Sequence, residues 1–323
     1  MTTKPAFDRR GLLGLLAAAP LAASLPAAAQ RGQTPLTPPP AISSLRLGRV
    51  TVHAISDGAF AGPLAWWTGA PQAEIADRIR AYSGGDGQAL RVNVTVWLVD
   101  DGERLTLIDT GMPAGAFPGL GRVPAGLAAL GATPERIGLV AATHAHFDHI
   151  GGLLKDGRAV YPNAELLIPR ADVAHFTDPA RRAAVPADAR ASYDLTAAAV
   201  AAYPRLQRID GDGRAITPYI TTVDLAGHTP GHTGYRISDG GQSLLIVADA
   251  LFAPALHPAR DDLGIAFEED PAAARAMRAK LFPRAAEEQA LIAATHMPFP
   301  GIGRIVRDGG TLRWAVDTFP QDG

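Results

Sequence analysis

Apolar and polar residues alternate from Leu45 to Ser56, the period of a strand with one covered face. Two further apolar runs, Val92–Val99 and Leu105–Ile108, flank Asp100-Asp101-Gly102 and predict a hairpin. Ile137–Thr143, Glu165–Pro169 and Leu291–Thr295 are short and almost wholly apolar, as buried strands are. Ile220–Leu225, Tyr235–Ser238 and Ser243–Ala248 also read as strands. Helical spacing predicts Val123–Leu130 closed by Gly131, Asp188–Tyr203 stopped by Pro204, and Asp270–Leu281. In the last of these Asp270 is placed to cap and Pro271 to take the first turn. Strands interleaved with helices predict an α/β domain, with two packed sheets or one large sheet and helices outside. No repeat of fixed short period occurs, and no strong linker interrupts the chain after residue 45. One domain is therefore expected over residues 45–323.

The N-terminus has a different texture. Residues 30–44 are rich in Pro, Gln, Thr and Ser and read as a loose linker. Before them, Arg9-Arg10 precedes an apolar run, Leu12–Ala29, that ends in Ala27-Ala28-Ala29-Gln30. Paired arginines, a modest apolar stretch and a small-residue cleavage pattern predict an export signal over residues 1–29 of the twin-arginine kind. The expected location is the periplasm or the medium, with no stable membrane anchor after cleavage. A hydrophobic share of 47% against 19% charged residues is enough for a buried core, and wholesale disorder is not expected. Net charge is −2 with no block of Lys and Arg, so no nucleic-acid partner is expected. The chain has no cysteine, which excludes thiolate ligands, thiol nucleophiles and disulfides. It also has no Gly-x-Ser-x-Gly motif to supply a serine nucleophile.

Chemistry concentrates in His144-Ala145-His146-Phe147-Asp148-His149. It follows the apolar run Ile137–Thr143 and precedes Gly151-Gly152, a strand end and a tight loop on which ligands can be held rigidly. Imidazole nitrogen and carboxylate oxygen are the donors that zinc accepts. Four such donors would saturate one tetrahedral ion, so a division is easier: His144 with His146 for one ion, Asp148 with His149 for a second. Three more donors close predicted strands: His228 after Ile220–Leu225, Asp249 after Ser243–Ala248, and His296 after Leu291–Thr295.

His-x-His-x-Asp-His, then Gly227-His228-Thr229-Pro230-Gly231-His232, then a strand-end Asp and a strand-end His, resembles the metallo-β-lactamase superfamily. The resemblance covers about residues 45–310 and takes in Asp109-Thr110-Gly111. It implies a four-layer αββα sandwich and two divalent metal ions, Zn²⁺ foremost. By the same resemblance His144, His146 and His228 hold one ion, and Asp148, His149 and His296 the other. Asp249 then bridges the two together with a hydroxide. Within the superfamily, Arg91-Val92-Asn93, Gly227–Thr233 and Phe299-Pro300-Gly301-Ile302-Gly303 are similar to methyl parathion hydrolase and its lactonase and arylesterase relatives. The related acyl-homoserine lactonases carry a Tyr shortly after the bridging Asp; here that place is Phe252, which has no hydroxyl.

The function so implied is metal-dependent hydrolysis of a small hydrophobic substrate: a lactone, an aryl ester or an organophosphate triester. The hydroxide attacks, the metals polarise the acceptor and steady the leaving oxygen, and Asp148 orients the nucleophile and passes a proton. The alternatives are an iron-dependent oxidoreductase on the same scaffold and a non-catalytic metal-binding protein. Trp66, Trp67 and Phe252 are the candidate pocket residues, with core packing as the competing role. His232 is expected behind the ligands, and Asp109 in a structural role outside the ligand set. His53, His175 and His257 lack a partner pattern and read as ordinary core or surface residues; His257 lies in the Phe252–Phe267 stretch, a candidate flank of the pocket. The oligomeric state is left open, a homodimer included.

Overall fold

Val94, Val96 and Leu98 alternate with Thr95, Trp97 and Val99, and all six are buried. A strand covered on both faces belongs in the interior of a layered fold. The computed structural model describes residues 39–317 and places it there. The proposed export signal, residues 1–29, and residues 30–38 of the linker lie outside the described residues.

The first sheet has seven strands in chain order. They are β1 (Ile42–Leu47), β2 (Val50–Pro63), β3 (Ala89–Asp100), β4 (Leu105–Ile108), β5 (Ile137–Ala141), β6 (Glu165–Pro169) and β7 (Leu206–Ile209). The pairings through β4 are antiparallel, and those from β4 to β7 are parallel. The second sheet has six, also in chain order. They are β8 (Ile220–Asp224), β9 (Thr233–Asp239), β10 (Gln242–Ile246), β11 (Leu291–Ala293), β12 (Ile302–Asp308) and β13 (Thr311–Val316).

Three cores define the layers. Between the sheets, Val52, Trp97, Val99, Ile108 and Leu139 meet Tyr235, Ile237, Leu244 and Ile246. On the outer face of the first sheet, Val96, Leu98 and Leu107 share a core with Val123, Leu127, Phe176 and Tyr193. These come from helices α2 (Val123–Ala129), α4 (Arg170–Phe176) and α6 (Ala191–Ala202). On the outer face of the second sheet, Leu245 and Ile292 pack against Phe282 and Ala285 of helix α7 (Pro271–Glu287). Helix, sheet, sheet, helix is the four-layer αββα sandwich expected. The other helices are α1 (Gln72–Ser83), the single turn α3 (Phe147–Ile150) and α5 (Pro179–Ala184).

Several boundaries depart from the sequence pattern. Leu45–Ser56 is two strands, not one: β1 and β2 are joined by a turn at Gly48-Arg49, with Leu47 opposite Val50. Alternation runs unbroken through the turn, so periodicity could not detect it. β1 begins at Ile42, so residues 42–44 belong to the sheet rather than to a loose linker. The helix expected from Asp188 starts at Ala191, after a 3₁₀ turn at Ala187–Ala189. Asp270 does cap α7, accepting from the amides of Ala272 and Ala273 at 3.1 and 3.0 Å, but the helix continues past Leu281 to Glu287. Leu291–Ala293 is wholly buried as expected, and the β12–β13 hairpin that follows it was not marked by the pattern.

Two features bring strand ends together. β8 and β10 both run antiparallel to β9, and β11 runs parallel to β10, so the C-terminal ends of β8, β10 and β11 lie on one edge. That edge is joined to the end of β5 in the other sheet. The Tyr235 hydroxyl donates to Ala142 O at 2.8 Å, and Thr233 N donates to Thr143 O at 2.8 Å.

Loop 109–123 is fixed from a third direction. A β-bulge between Ser56 and Gly58 shifts the register of β2 against β3 and frees Asp57 from the ladder. Its wholly buried carboxylate accepts from the amides of Met112, Gly121, Arg122 and Val123 at 2.5–3.1 Å. Leaving one buried donor unpaired costs about 1–3 kcal/mol. Asp57→Ala should therefore lower unfolding stability by about 3 kcal/mol or more, read as a shift in urea midpoint at unchanged m-value.

Candidate metal centre

The seven predicted donors converge. His144 to His149 follow β5, His228 follows β8, Asp249 follows β10 and His296 follows β11. They form two groups whose donor atoms lie within 4.8 Å of one another: His144, His146, His228 and Asp249, and Asp148, His149 and His296. In the first, His146 Nδ1 is 3.1 Å from His144 Nε2 and 3.0 Å from His228 Nε2. In the second, Asp148 Oδ2 is 3.7 Å from His149 Nε2 and 3.5 Å from His296 Nε2. Asp249 faces both: Oδ2 lies 3.1 Å from His228 Nε2 and 3.2 Å from His296 Nε2, and Oδ1 lies 3.2 Å from His149 Nε2.

The proton positions say what such a cluster can hold. Thr143 donates its hydroxyl to Asp109 Oδ2 at 2.8 Å, so the same oxygen accepts from His144 Nδ1 at 3.0 Å. His149 Nδ1 donates to Asp109 Oδ2 at 2.8 Å, and His296 Nδ1 donates to the carbonyl of Asn93 at 2.7 Å. Each of these rings then turns its Nε2 toward the centre, free to give that nitrogen's lone pair to a cation. His149 Nε2 and Asp249 Oδ1 are buried without a hydrogen-bond partner. Lone pairs of buried groups facing one another are costly unless a cation lies between them. Donors 2.0–2.1 Å from a tetrahedral ion are roughly 3.3 Å apart, close to the spacings in the first group. The residues fit a pair of divalent cations, with Asp249 able to touch both.

Burial, and then the neighbouring imidazoles, hold His144 and His146 well below the ordinary histidine range. Burial would lower His149 too, but the carboxylates of Asp249, Asp148 and Asp109 reverse it and raise this ring well above its usual value. His296 is raised in the same way, with Asp249 the main opponent of burial. Asp249 is driven well below the carboxylate range: burial works against its charge, and the rings of His296, His149, His144 and His228 overcome that.

The supporting shell contains residues that the sequence pattern did not single out. Asp172 of α4 is wholly buried and accepts from Ala145 N, Thr229 Oγ1 and Gly231 N at 2.8, 2.8 and 2.6 Å. An acid in the first turn of a helix ordinarily reads as a solvated cap. The one signal against that was its spacing of four from Phe176, which puts both on one face. Asp109 has a positive φ of 61°, and Ala248, just before Asp249, one of 42°; strained backbone of this kind gathers at functional sites. At Gly227 the φ is 146°, and a Cβ would lie 2.4 Å from the backbone nitrogen of Ala274, so only glycine lets the His228 loop pass this close to α7.

His232 packs behind the donors, its ring 5.1 Å from that of His144 and its Nδ1 donating to Leu225 O at 3.1 Å. Burial lowers its pKa to about 3. His257 is buried between Phe252 N and Leu263 O, at 3.3 and 3.2 Å, and fastens that loop internally. Of the three expected pocket residues, Trp67 is wholly buried and meets Phe252 edge-on at 5.4 Å; it belongs to the core and not to the pocket surface. Phe252 is itself 2% exposed, and its ring lies 4.1 Å from that of His296. It lines a cavity of about 390 Å³ with Arg91, Asn93 and Phe299 that none of the seven donors borders. Trp66 is half-buried and contacts Phe267 at 5.2 Å, and Phe267 reaches the His228 ring at 6.3 Å. Phe267 and Phe147, which faces Phe117 at 6.3 Å, are the aromatic neighbours of the donors that the sequence reading missed.

Residues 89–296 match the family described as the metallo-beta-lactamase superfamily. Among solved structures, the chain is similar to a hydrolase named AbOPH in the beta lactamase superfamily, with 28% identity and a TM-score of 0.78 over 87% of this chain and 98% of that one. AidC, a dizinc quorum-quenching lactonase, aligns at 24% identity and a TM-score of 0.78 over 87% of this chain and 99% of its own. A probable metal-dependent hydrolase from Staphylococcus aureus aligns at 18% identity and a TM-score of 0.69, covering 85% and 100% of the two chains.

Raised pKa values at His149 and His296 mean that these rings hold a second proton more tightly than an ordinary histidine, and a cation must displace it. Zinc uptake at pH 7 should therefore release protons, and affinity should fall as pH falls. Calorimetry in buffers of different ionisation enthalpy measures the release; His149→Ala should diminish it.

Proposed function

We propose, on the premise that the chain belongs to the metallo-β-lactamase superfamily, that it is a dinuclear metallohydrolase acting on a small hydrophobic lactone, aryl ester or phosphotriester. The observation that carries this reading is the shared position of Asp249, within 3.2 Å of donors from both groups. His144, His146 and His228 would hold one cation, Asp148, His149 and His296 the other, and Asp249 both, zinc being the first choice for such donors. Two divalent cations so held supply a water acidic enough to attack at neutral pH and a Lewis acid for the acceptor oxygen.

The remaining work falls to the chain. Asp148 keeps 14% exposure, whereas His149, Asp249 and His296 keep 2% or less. It is the carboxylate best placed to orient a nucleophile on the solvent side and to hand a proton to the leaving oxygen. Phe267 borders His228 and His146, Trp66 and Phe60 extend from it ring on ring, and Phe147 between two donors meets Phe117; these half-buried aromatic faces suit an acyl chain or an aryl leaving group. Phe252 has no hydroxyl, so no tyrosine assists the oxyanion at that place. Similarity to AidC favours the lactone arm.

Zinc-loaded protein assayed by kcat/KM on acyl lactones, aryl esters and phosphotriesters should turn over at least one class. His146→Ala should lose metal and turnover together, by more than the ~10–100-fold typical of an outer-shell change. Retained turnover in that variant would reject the site, and tightly bound iron with oxygen consumption would favour the redox alternative. We also propose that residues 1–29 direct export by the twin-arginine route; Arg9-Arg10→Lys-Lys should then leave the protein in the cytoplasm, and normal periplasmic accumulation would refute it.

A further inference from the structure

We infer that Asp172 is the positioning residue for the three-histidine half of the centre and sets the metal affinity of that half alone. The inference rests on the dinuclear reading above. Asp172 is outside both donor groups, yet its carboxylate holds the backbone on both sides of the first. Oδ2 takes the amide of Ala145, the residue between His144 and His146, and the hydroxyl of Thr229, the residue after His228. Oδ1 takes the amide of Gly231 in the same loop as His228. One buried side chain thus ties the ligand loop of the first sheet to the ligand loop of the second, across the gap a cation would span.

The contact leaves little slack. A Cβ at Gly231 would lie 2.9 Å from both the backbone nitrogen and Oδ1 of Asp172, and 2.7 Å from the Cβ of Pro169. Only an ionised carboxylate accepts from all three donors at once; an asparagine must turn its NH₂ group toward one side of the pair.

The hydrogen bonds that Asp172 accepts come from Ala145, Thr229 and Gly231, and not from Asp148, His149 or His296 of the second group. That half has its own braces: Asp109 on His149 Nδ1 at 2.8 Å, and the carbonyl of Asn93 on His296 Nδ1 at 2.7 Å. Asp109 is shared, since it also steadies His144 through Thr143, but Asp172 serves the first half and the Asn93 carbonyl the second, so a fault at Asp172 should be felt mainly on its own side.

The test uses the full chain, loaded with zinc and titrated with a chelator, with bound metal counted per chain. Wild type should hold two equivalents; fewer would overturn the dinuclear reading and this inference with it. Asp172→Asn should keep one equivalent at wild-type affinity and hold the other about 10–100-fold more weakly. Combined with His228→Ala it should add nothing to the loss, and combined with His296→Ala it should weaken both equivalents. Thr229→Val, which removes one of the three bonds, should shift the same equivalent by less, with Thr229→Ser restoring it. If Asp172→Asn does not fold, Thr229→Val decides alone. A merely structural Asp172 would weaken both equivalents together or neither, and either result overturns the inference while wild type still binds two.

Discussion

A carboxylate buried to 2% exposure with four imidazoles around it is the constraint on which the structure turns. Asp249 can stay ionised there only while positive charge or hydrogen-bond donors face it. The rings of His144, His149 and His296 have their Nδ1 atoms committed elsewhere, to Thr143, Asp109 and Asn93. Those outward bonds turn basic nitrogens toward Asp249, an arrangement that is unfavourable for an empty cavity and favourable around cations. The fold exists in a form that imposes this: two sheets whose strand ends are held at one edge by Tyr235 and Thr233 against the end of β5.

The supporting carboxylates explain how so many donors can be held on loops. Asp57, Asp109 and Asp172 each accept at least two backbone or hydroxyl donors, and each joins segments far apart in sequence. Asp57 gathers loop 109–123, Asp109 fixes Thr143 and His149, and Asp172 links the loops of His146 and His228. Each carboxylate offers two acceptor oxygens that can satisfy several rigid amides, so one residue orders a whole loop. Precision at the centre thus depends on a second ring of acids that ligate nothing.

What the sequence disclosed follows from range. The donors were legible because five of the seven lie in or beside compact motifs, and because each of the rest directly follows a buried apolar run. The layered fold was legible for the same reason: strands such as Val92–Val99 have no polar face and must be covered twice. Asp172 and Asp57 were not legible, because their partners are 27–66 residues away and nothing local distinguishes a buried acid from a solvated one. The hairpin turn at Gly48 was hidden because alternation survives a two-residue turn. Trp67 was assigned to a pocket on composition alone, and only packing distinguishes it from its neighbour Trp66, which is half-buried against Phe267.

The charge balance gives the arrangement its chemical direction. Two divalent cations would bring four positive charges against Asp148 and Asp249, with Asp109 one step behind His149. Excess positive charge would remain beside the aromatic rings of Phe267 and Phe147. Aromatic walls exclude water and lower the local dielectric, which strengthens attraction for negative charge that develops during reaction. On the proposed reading, a neutral ester, lactone or phosphotriester would enter such a site at little electrostatic cost and acquire negative charge only as it reacts. Such a site would bind the transition state better than the ground state, which is the condition for raising kcat. An anionic substrate would spend much of that attraction on entry, and so the same walls and the same charges favour neutral, hydrophobic molecules.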